Sequence, residues 1–223
     1  MISKFEQLSN LFEELEKIVD EKVDIYIIGG AVMLYHNVKQ ITKDVDIVVS
    51  SLEEFKAVEK ALKKIRFITK IPTEEYKRFD LSQIFQRGEF RIDLFQRTVC
   101  KGFLLSEGMK KRAMKIRESK RLTIYLCSPT DIFMFKTFTD REGDIADCIS
   151  LTETTIDWNA MLEEINNQMQ ISGNKIWITW IGERMDLLIE RGLKIPIMKD
   201  INKLRELFFK QYEKEMKRKG SET

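Results

Sequence analysis

Asp24-Ile25-Tyr26-Ile27-Ile28-Gly29-Gly30, followed after thirteen residues by Asp44-Val45-Asp46-Ile47-Val48-Val49, is the stretch that decides the fold. The first run is apolar and stops at a glycine pair, which reads as a buried strand entering a sharp turn, with a short helix over Ala31 to His36. Val45 to Val49 reads as a second strand. Residues i and i+2 of a strand share a face, so Asp44 and Asp46 place two carboxylates side by side on an apolar backing. Like charges held so close repel unless a cation lies between them. Magnesium (or manganese) is the fitting cation, because it takes oxygen ligands and commonly joins one or two carboxylates to substrate phosphates. Glycines at a strand-to-helix turn let backbone come close to a ligand, and the helix start offers N–H groups to an anion. The two segments together specify a phosphate-and-metal site. An EF-hand is excluded, since Val48 and Ser50 lack the carboxylate and glycine that loop requires.

A third acid, Asp93, lies in Phe90-Arg91-Ile92-Asp93-Leu94-Phe95, where an inward charge is costly without a partner. If this strand neighbours the Asp44/Asp46 strand, three carboxylates converge with room for two metal ions, and Asp93 could bind or deprotonate an attacking hydroxyl. The alternative is an alternating residue on an exposed sheet face.

Composition agrees with an ordinary enzyme-sized chain. Its 223 residues are 43% hydrophobic and 33% charged, which is enough to bury a full core without staples and excludes a disordered or collagenous chain. The net charge of +2 argues against indiscriminate coating of nucleic acid. Cys100, Cys127 and Cys148 are scattered, without CxxC spacing, and read as reduced thiols of a cytoplasmic protein. With His36 as the single histidine, a histidine-rich metal centre or an acyl-transfer triad has little to build on. The longest stretch without Asp, Glu, Lys or Arg, Ile25 to Val38, is too short to span a bilayer, and the opening MISKFEQL carries no secretory signal, so no membrane partner is expected.

Outward from the central segments, Ile2, Phe5, Leu8, Leu11, Phe12, Leu15, Ile18 and Val19 recur at helical spacing. Ser51 to Ile65 is a helix with a serine N-cap and early glutamates. Arg66 to Lys70, Leu81 to Gln86, Glu89 to Phe95 and Arg121 to Cys127 read as strands, the middle two as a hairpin turning at Arg87-Gly88. From Ser128-Pro129-Thr130-Asp131, a capped helix start, the pattern is helical, near 129–141, 144–153, 157–169, 174–191 and 197–219. The expected architecture is a mixed α/β domain over residues 1–127, with a mixed sheet and flanking helices, followed by a helical domain over 128–223. Trp158, Trp177 and Trp180 are expected in helix packing and Met198 as core filler. The run Lys110, Lys111, Arg112, Lys115, Arg117, Lys120 and Arg121 is either a solvated segment or a guide for an RNA or DNA acceptor.

The pattern of an apolar run with a glycine pair, a spacer, an Asp-x-Asp and a separate aspartate resembles the nucleotidyltransferase superfamily related to DNA polymerase beta. Within it, the chain is most similar to small prokaryotic members such as the AbiEii-type toxins. Those proteins carry a later helical motif that Ser128-Pro129-Thr130-Asp131, Lys136, Arg141, Asp144 and Asp147 match, so the resemblance covers residues 24–150. It implies that Gly29 and Gly30 hold the triphosphate, that Asp44 and Asp46 hold the metals, and that Asp93 completes the metal site and acts on the acceptor hydroxyl. It also implies that Lys136 neutralises phosphate with Arg141, Asp144 and Asp147 nearby, and Lys43 is a supporting candidate. Independently of the resemblance, Lys136 and Arg141 read more readily as part of a solvated helix face. Relatives often carry Arg where this chain has Gln40, which removes one phosphate contact. The implied activity is transfer of a nucleoside monophosphate from an NTP to an RNA, protein or small-molecule hydroxyl, with a toxin role and an antitoxin partner implied by resemblance. The alternative is a catalytically silent nucleotide-binding regulator or antitoxin-like protein of the same fold.

Overall fold

In a computed structural model, which describes residues 1–72, 80–100, 102–139 and 141–220, the sheet grows outward from the two segments read first. Strand β1 (Val23–Ile28) lies antiparallel to β2 (Val45–Val49), and both are central. On one side of this pair, β5 (Phe90–Gln96) runs parallel to β2, followed by β4 (Leu81–Arg87) and β3 (Ile68–Lys70). On the other side, β9 (Leu122–Leu126) runs parallel to β1, with β8 (Met114–Glu118) at the edge. The resulting seven-stranded mixed sheet has the order β3-β4-β5-β2-β1-β9-β8. Central strands are buried on both faces, which explains why β1 and β2 read as nearly continuous apolar runs instead of alternating ones.

Helix α1 (Glu6–Ile18) buries Leu8, Leu11, Phe12 and Leu15, matching the spacing of its apolar residues. It packs against α3 (Leu52–Lys64), which covers β1, β2 and β5. Ser51 caps α3 by accepting from the Glu54 backbone N–H, and Glu54 in turn accepts from the backbone N–H groups of Asp24 and Ser50. Between β1 and β2 the short α2 (Gly30–Tyr35) is buried from Gly30 to Leu34, and His36 closes it as a half-buried helix end.

The helical half begins with α5 (Pro129–Thr137), its Ser128 cap and N1 proline as expected, and continues through α6 (Glu142–Leu151), α7 (Trp158–Ser172), α8 (Trp177–Glu190) and α9 (Met198–Gly220). The helix expected over 129–141 ends at Thr137, and residue 140 lies outside the described residues. Buried residues of this half, including Ile132, Phe133, Ile145, Met161 and Trp177, join the sheet's residues in one apolar cluster. Trp177 is fully buried and Trp158 and Trp180 are half-buried, as packing residues.

Three elements between Thr98 and Glu118 carry no legible period: the small hairpin β6 (Thr98–Val99) and β7 (Phe103–Leu104), the single-turn α4 (Glu107–Arg112), and β8. They are too short for a hydrophobic period to register, and β8 is mostly solvent-exposed. The strand expected over Arg66 to Lys70 begins only at Ile68, because Arg66 adopts a left-handed conformation, φ 67°.

In the basic run Lys111, Lys115, Lys120 and Arg121 are exposed, and Arg112 departs from a solvated face. Arg112 turns inward between Asp131 of α5, at 2.7 Å, and Glu164 of α7, at 2.9 Å. Lys115 pairs with Glu118, Arg117 with Glu16, and Lys110 with Glu107. The run is spread over a helix and an edge strand: Lys110 and Lys115 pair with acids of their own element, while Arg112 and Arg117 meet acids of other elements. Among the described residues no helix is long and apolar enough to cross a membrane.

Candidate active site

Register assembles the acids. Asp46 of β2 lies beside Asp93 of the parallel β5, so their side chains leave the sheet on the same face. Asp44, two residues before Asp46, joins that face, as does Arg91, two residues before Asp93. Arg91 donates from Nε and Nη2 to the two oxygens of Asp93, both at 2.7 Å, a fork that fixes the carboxylate in plane. Asp93 is buried, and burial pushes its carboxyl above the ordinary range, with the Arg91 hydrogen bonds opposing and Asp44 adding. Burial together with the charges of Asp44 and Asp93 pushes Asp46 well above that range, against Lys136 and Arg141.

The glycine pair has a steric reason that only the fold reveals. Gly29 has φ 66° and ψ −144°, and a Cβ there would run into a carboxylate oxygen of Asp46. A Cβ on Gly30 would meet the Thr42 hydroxyl. Thr42 donates that hydroxyl to the Asp44 carbonyl at 3.1 Å, and its backbone bridges Ile2 in both directions at 2.9 Å. The chain entering Asp44 is thus pinned to the N-terminus while β1 delivers backbone against Asp46. Gly29→Ala is expected to cost about 1–3 kcal/mol in strain and to displace the Asp46 carboxylate. A melting curve coincident with that of the unsubstituted protein would refute it.

Cations face the acids from the helical half. Lys136 of α5 places Nζ 2.5 Å from Asp144 and 2.8 Å from Asp147, both on α6. Arg141, the residue that opens α6, holds Asp144 through Nε at 2.8 Å, and Thr139 donates its hydroxyl to the same carboxylate. Burial works against the Lys136 ammonium, but Asp144 and Asp147 outweigh it and hold its pKa above the usual lysine value. Burial likewise opposes ionisation of Asp144, and Lys136, Thr139 and Arg141 more than compensate.

Every candidate named from the sequence lines one cavity of about 480 Å³: Gly29, Gly30, Lys43, Asp44, Asp46, Asp93, Lys136, Arg141, Asp144 and Asp147. Its apolar wall includes Ile28, Phe95, Ile132 and Phe135. Three participants are new. Lys39 reaches Asp147 at 2.5 Å, Arg91 grips Asp93, and Cys100 lines the cavity at a left-handed φ of 51°. Burial, with Asp46 adding, pushes the Cys100 thiol up to about 12, so it is no thiolate nucleophile at neutral pH. Lys39 stands in a polar turn and Cys100 in a segment without period, so nothing local marked either one.

The donor set fits a hard divalent cation at Asp44 and Asp46. Both carboxylates line the cavity, and their mutual repulsion is the feature that a cation relieves. Among the described residues no group of three or more His, Cys, Asp or Glu is already arranged to hold a metal ion. The Arg91 fork gives the physical reason on the Asp93 side, since both of that residue's oxygens are engaged.

A family model described as nucleotidyltransferase of unknown function (DUF6036) matches residues 6–178. The chain belongs to that family. It is therefore a nucleotidyltransferase, as the glycine pair and aspartate pattern led one to expect. No curated protein matches the sequence. The chain is also similar to the crystal structure of ANT(2'')-Ia in complex with adenylyl-2''-tobramycin, with 11% identity, a TM-score of 0.42, and coverage of 84% of this chain and 99% of the other. A solution structure of the antibiotic-resistance factor ANT(2'')-Ia gives 12% identity, a TM-score of 0.42, and coverage of 97% and 98%.

Proposed function

We propose that this member of the DUF6036 family moves a nucleoside monophosphate from an NTP to a hydroxyl acceptor and releases pyrophosphate. The observation that carries this reading is the meeting in one cavity of Asp44, Asp46 and Asp93 from the sheet with Lys136 and Arg141 from the helical half. In the proposed reaction the acceptor oxygen forms a bond to the α-phosphorus while the bond from that phosphorus to the bridging oxygen of pyrophosphate breaks. A magnesium or manganese ion, which Asp44 and Asp46 would hold, would supply Lewis-acid neutralisation of the phosphoryl charge when bound. Gly29 and Gly30 bring backbone close to the triphosphate. Lys136 and Arg141 balance charge as pyrophosphate leaves, held in position by Asp144 and Asp147, and Lys43 supports them at the cavity edge. A carboxylate oxygen of Asp93, oriented by Arg91, takes the proton of the acceptor hydroxyl. In this proposal the α/β half of 1–127 and the helical half of 128–223 each supply part of one site. Acceptors with suitable hydroxyls are an RNA or tRNA end, a protein side chain or a small molecule, and the resemblance to AbiEii-type toxins makes a paired antitoxin a partner to seek.

Incubation with each of four α-labelled NTPs, magnesium or manganese, and total RNA or cell extract tests the reading. Label is expected to appear on one acceptor class, with pyrophosphate released in equal amount. NTP bound tightly but transferred to nothing would favour the silent regulator instead.

A further inference from the structure

Lys39 is the cation in the cavity that neither the aspartate pattern nor the helical motif assigns. It follows α2 on the segment leading to Asp44, and its ammonium lies 2.5 Å from Asp147, a residue 108 positions away on α6. Asp147 is shared: its other oxygen receives Lys136 at 2.8 Å. Two ammonium groups from opposite halves of the molecule thus converge on one carboxylate, much as two cations converge on a phosphate. Lys39 is the more exposed of the two, 30% against 13% for Lys136. It is the one able to turn away from Asp147 without leaving the acid unpaired, because Lys136 stays.

We propose that Lys39 is a triphosphate-binding residue, stored on Asp147 in the nucleotide-free protein and transferred to the β- or γ-phosphate when NTP enters. The charge arithmetic supports an additional cation. Asp144 and Asp147 already offset Lys136 and Arg141, and Asp93 offsets Arg91, which leaves Asp44 and Asp46 facing an incoming polyanion with Lys39 and Lys43 as the remaining balance. Ammonium-to-phosphate hydrogen bonds are charge-assisted and strong, so one such contact moves affinity measurably. The inference rests on the proposed NTP reaction and adds which atom of this chain reads the length of the phosphate chain.

The test compares ATP, GTP, CTP and UTP with their monophosphates by calorimetry in magnesium buffer, on the unsubstituted protein, Lys39→Ala and Lys39→Arg. Lys39→Ala is expected to weaken the preferred NTP about tenfold or more while changing its monophosphate less than about twofold. Lys39→Arg is expected to recover most of the loss. A purely structural tie between Lys39 and Asp147 predicts something else: both ligands weaken together, in step with a lowered melting temperature, and that result overturns the proposal. Unchanged NTP affinity in a folded Lys39→Ala protein overturns it as well. Failure of the unsubstituted protein to bind any NTP counts against the proposed reaction itself, so the two failures are separable.

Discussion

Asp46→Asn is expected to abolish nucleotidyl transfer, by about 10³-fold or more, while leaving the fold as stable as before. The magnitude follows from the position of the carboxylate, which faces the cavity between Asp44 and Asp93 where phosphoryl charge must be balanced. Stability is expected to hold for the opposite reason. In the nucleotide-free protein Asp46 is a liability, since burial and two neighbouring carboxylates disfavour its charge. An amide of the same shape removes that repulsion and keeps contact with the Gly29 backbone. Two measurements check the pair of claims: labelled-NMP transfer, and melting temperature with and without added magnesium. The unsubstituted protein is expected to gain stability from the ion and the variant to gain little. Undiminished transfer by the variant would remove Asp46 from the chemistry.

Arg112→Met is expected to produce a large loss of stability, although Arg112 lies outside the cavity. Arg112 donates to Asp131 and Glu164, which are 1% and 3% exposed, and the three groups tie α4, α5 and α7 together. Ser128 completes the shell of Asp131, and Asn167 and Gln168 complete that of Glu164. Removing the guanidinium strands two carboxylates in the interior, an effect of about 3–5 kcal/mol, or a melting decrease of roughly 10 °C for a chain of this size.

The sign of its pH dependence is determined as well. Burial already holds Asp131 above the ordinary carboxylate range despite Arg112, while Arg112, Ser106, Gln168 and Asn167 keep Glu164 below it against burial. Without Arg112 both folded-state values rise relative to those in the unsubstituted protein. The variant's folded state then binds more protons than the unsubstituted one over the titration of these two acids, so its deficit grows as pH rises. The deficit against the unsubstituted protein should therefore be greatest near pH 8 and shrink toward pH 5. Thermal melts across that range check it, and a deficit independent of pH would mean that the loss lies in packing.

Legibility in the sequence followed the range over which each signal acts. The aspartates were legible because their spacing is the period of a strand, and β2 forms over Val45–Val49 as its apolar residues demand. The helical half was legible through its capped start at Ser128 and Pro129, which the structure places at the N-cap and first turn of α5. The hairpin at 98–104 and the edge strand at 114–118 were not, because elements of two to five residues carry no resolvable period. Arg112 was misread for a related reason: a side chain's sign is visible in sequence, but its partners, 19 and 52 residues away, are not.

The sequence alone thus carried the ingredients of the chemistry: three aspartates, a glycine turn, a lysine on a capped helix and an arginine beyond that helix's end. Those are local properties of residue type and spacing. Packing alone brings Asp93 into register with Asp46, sets Gly29 against the Asp46 carboxylate, and carries Lys39 to the cavity wall. Each of those depends on strand order or on helix docking across many tens of residues, where no periodicity reaches and only packing brings the partners together.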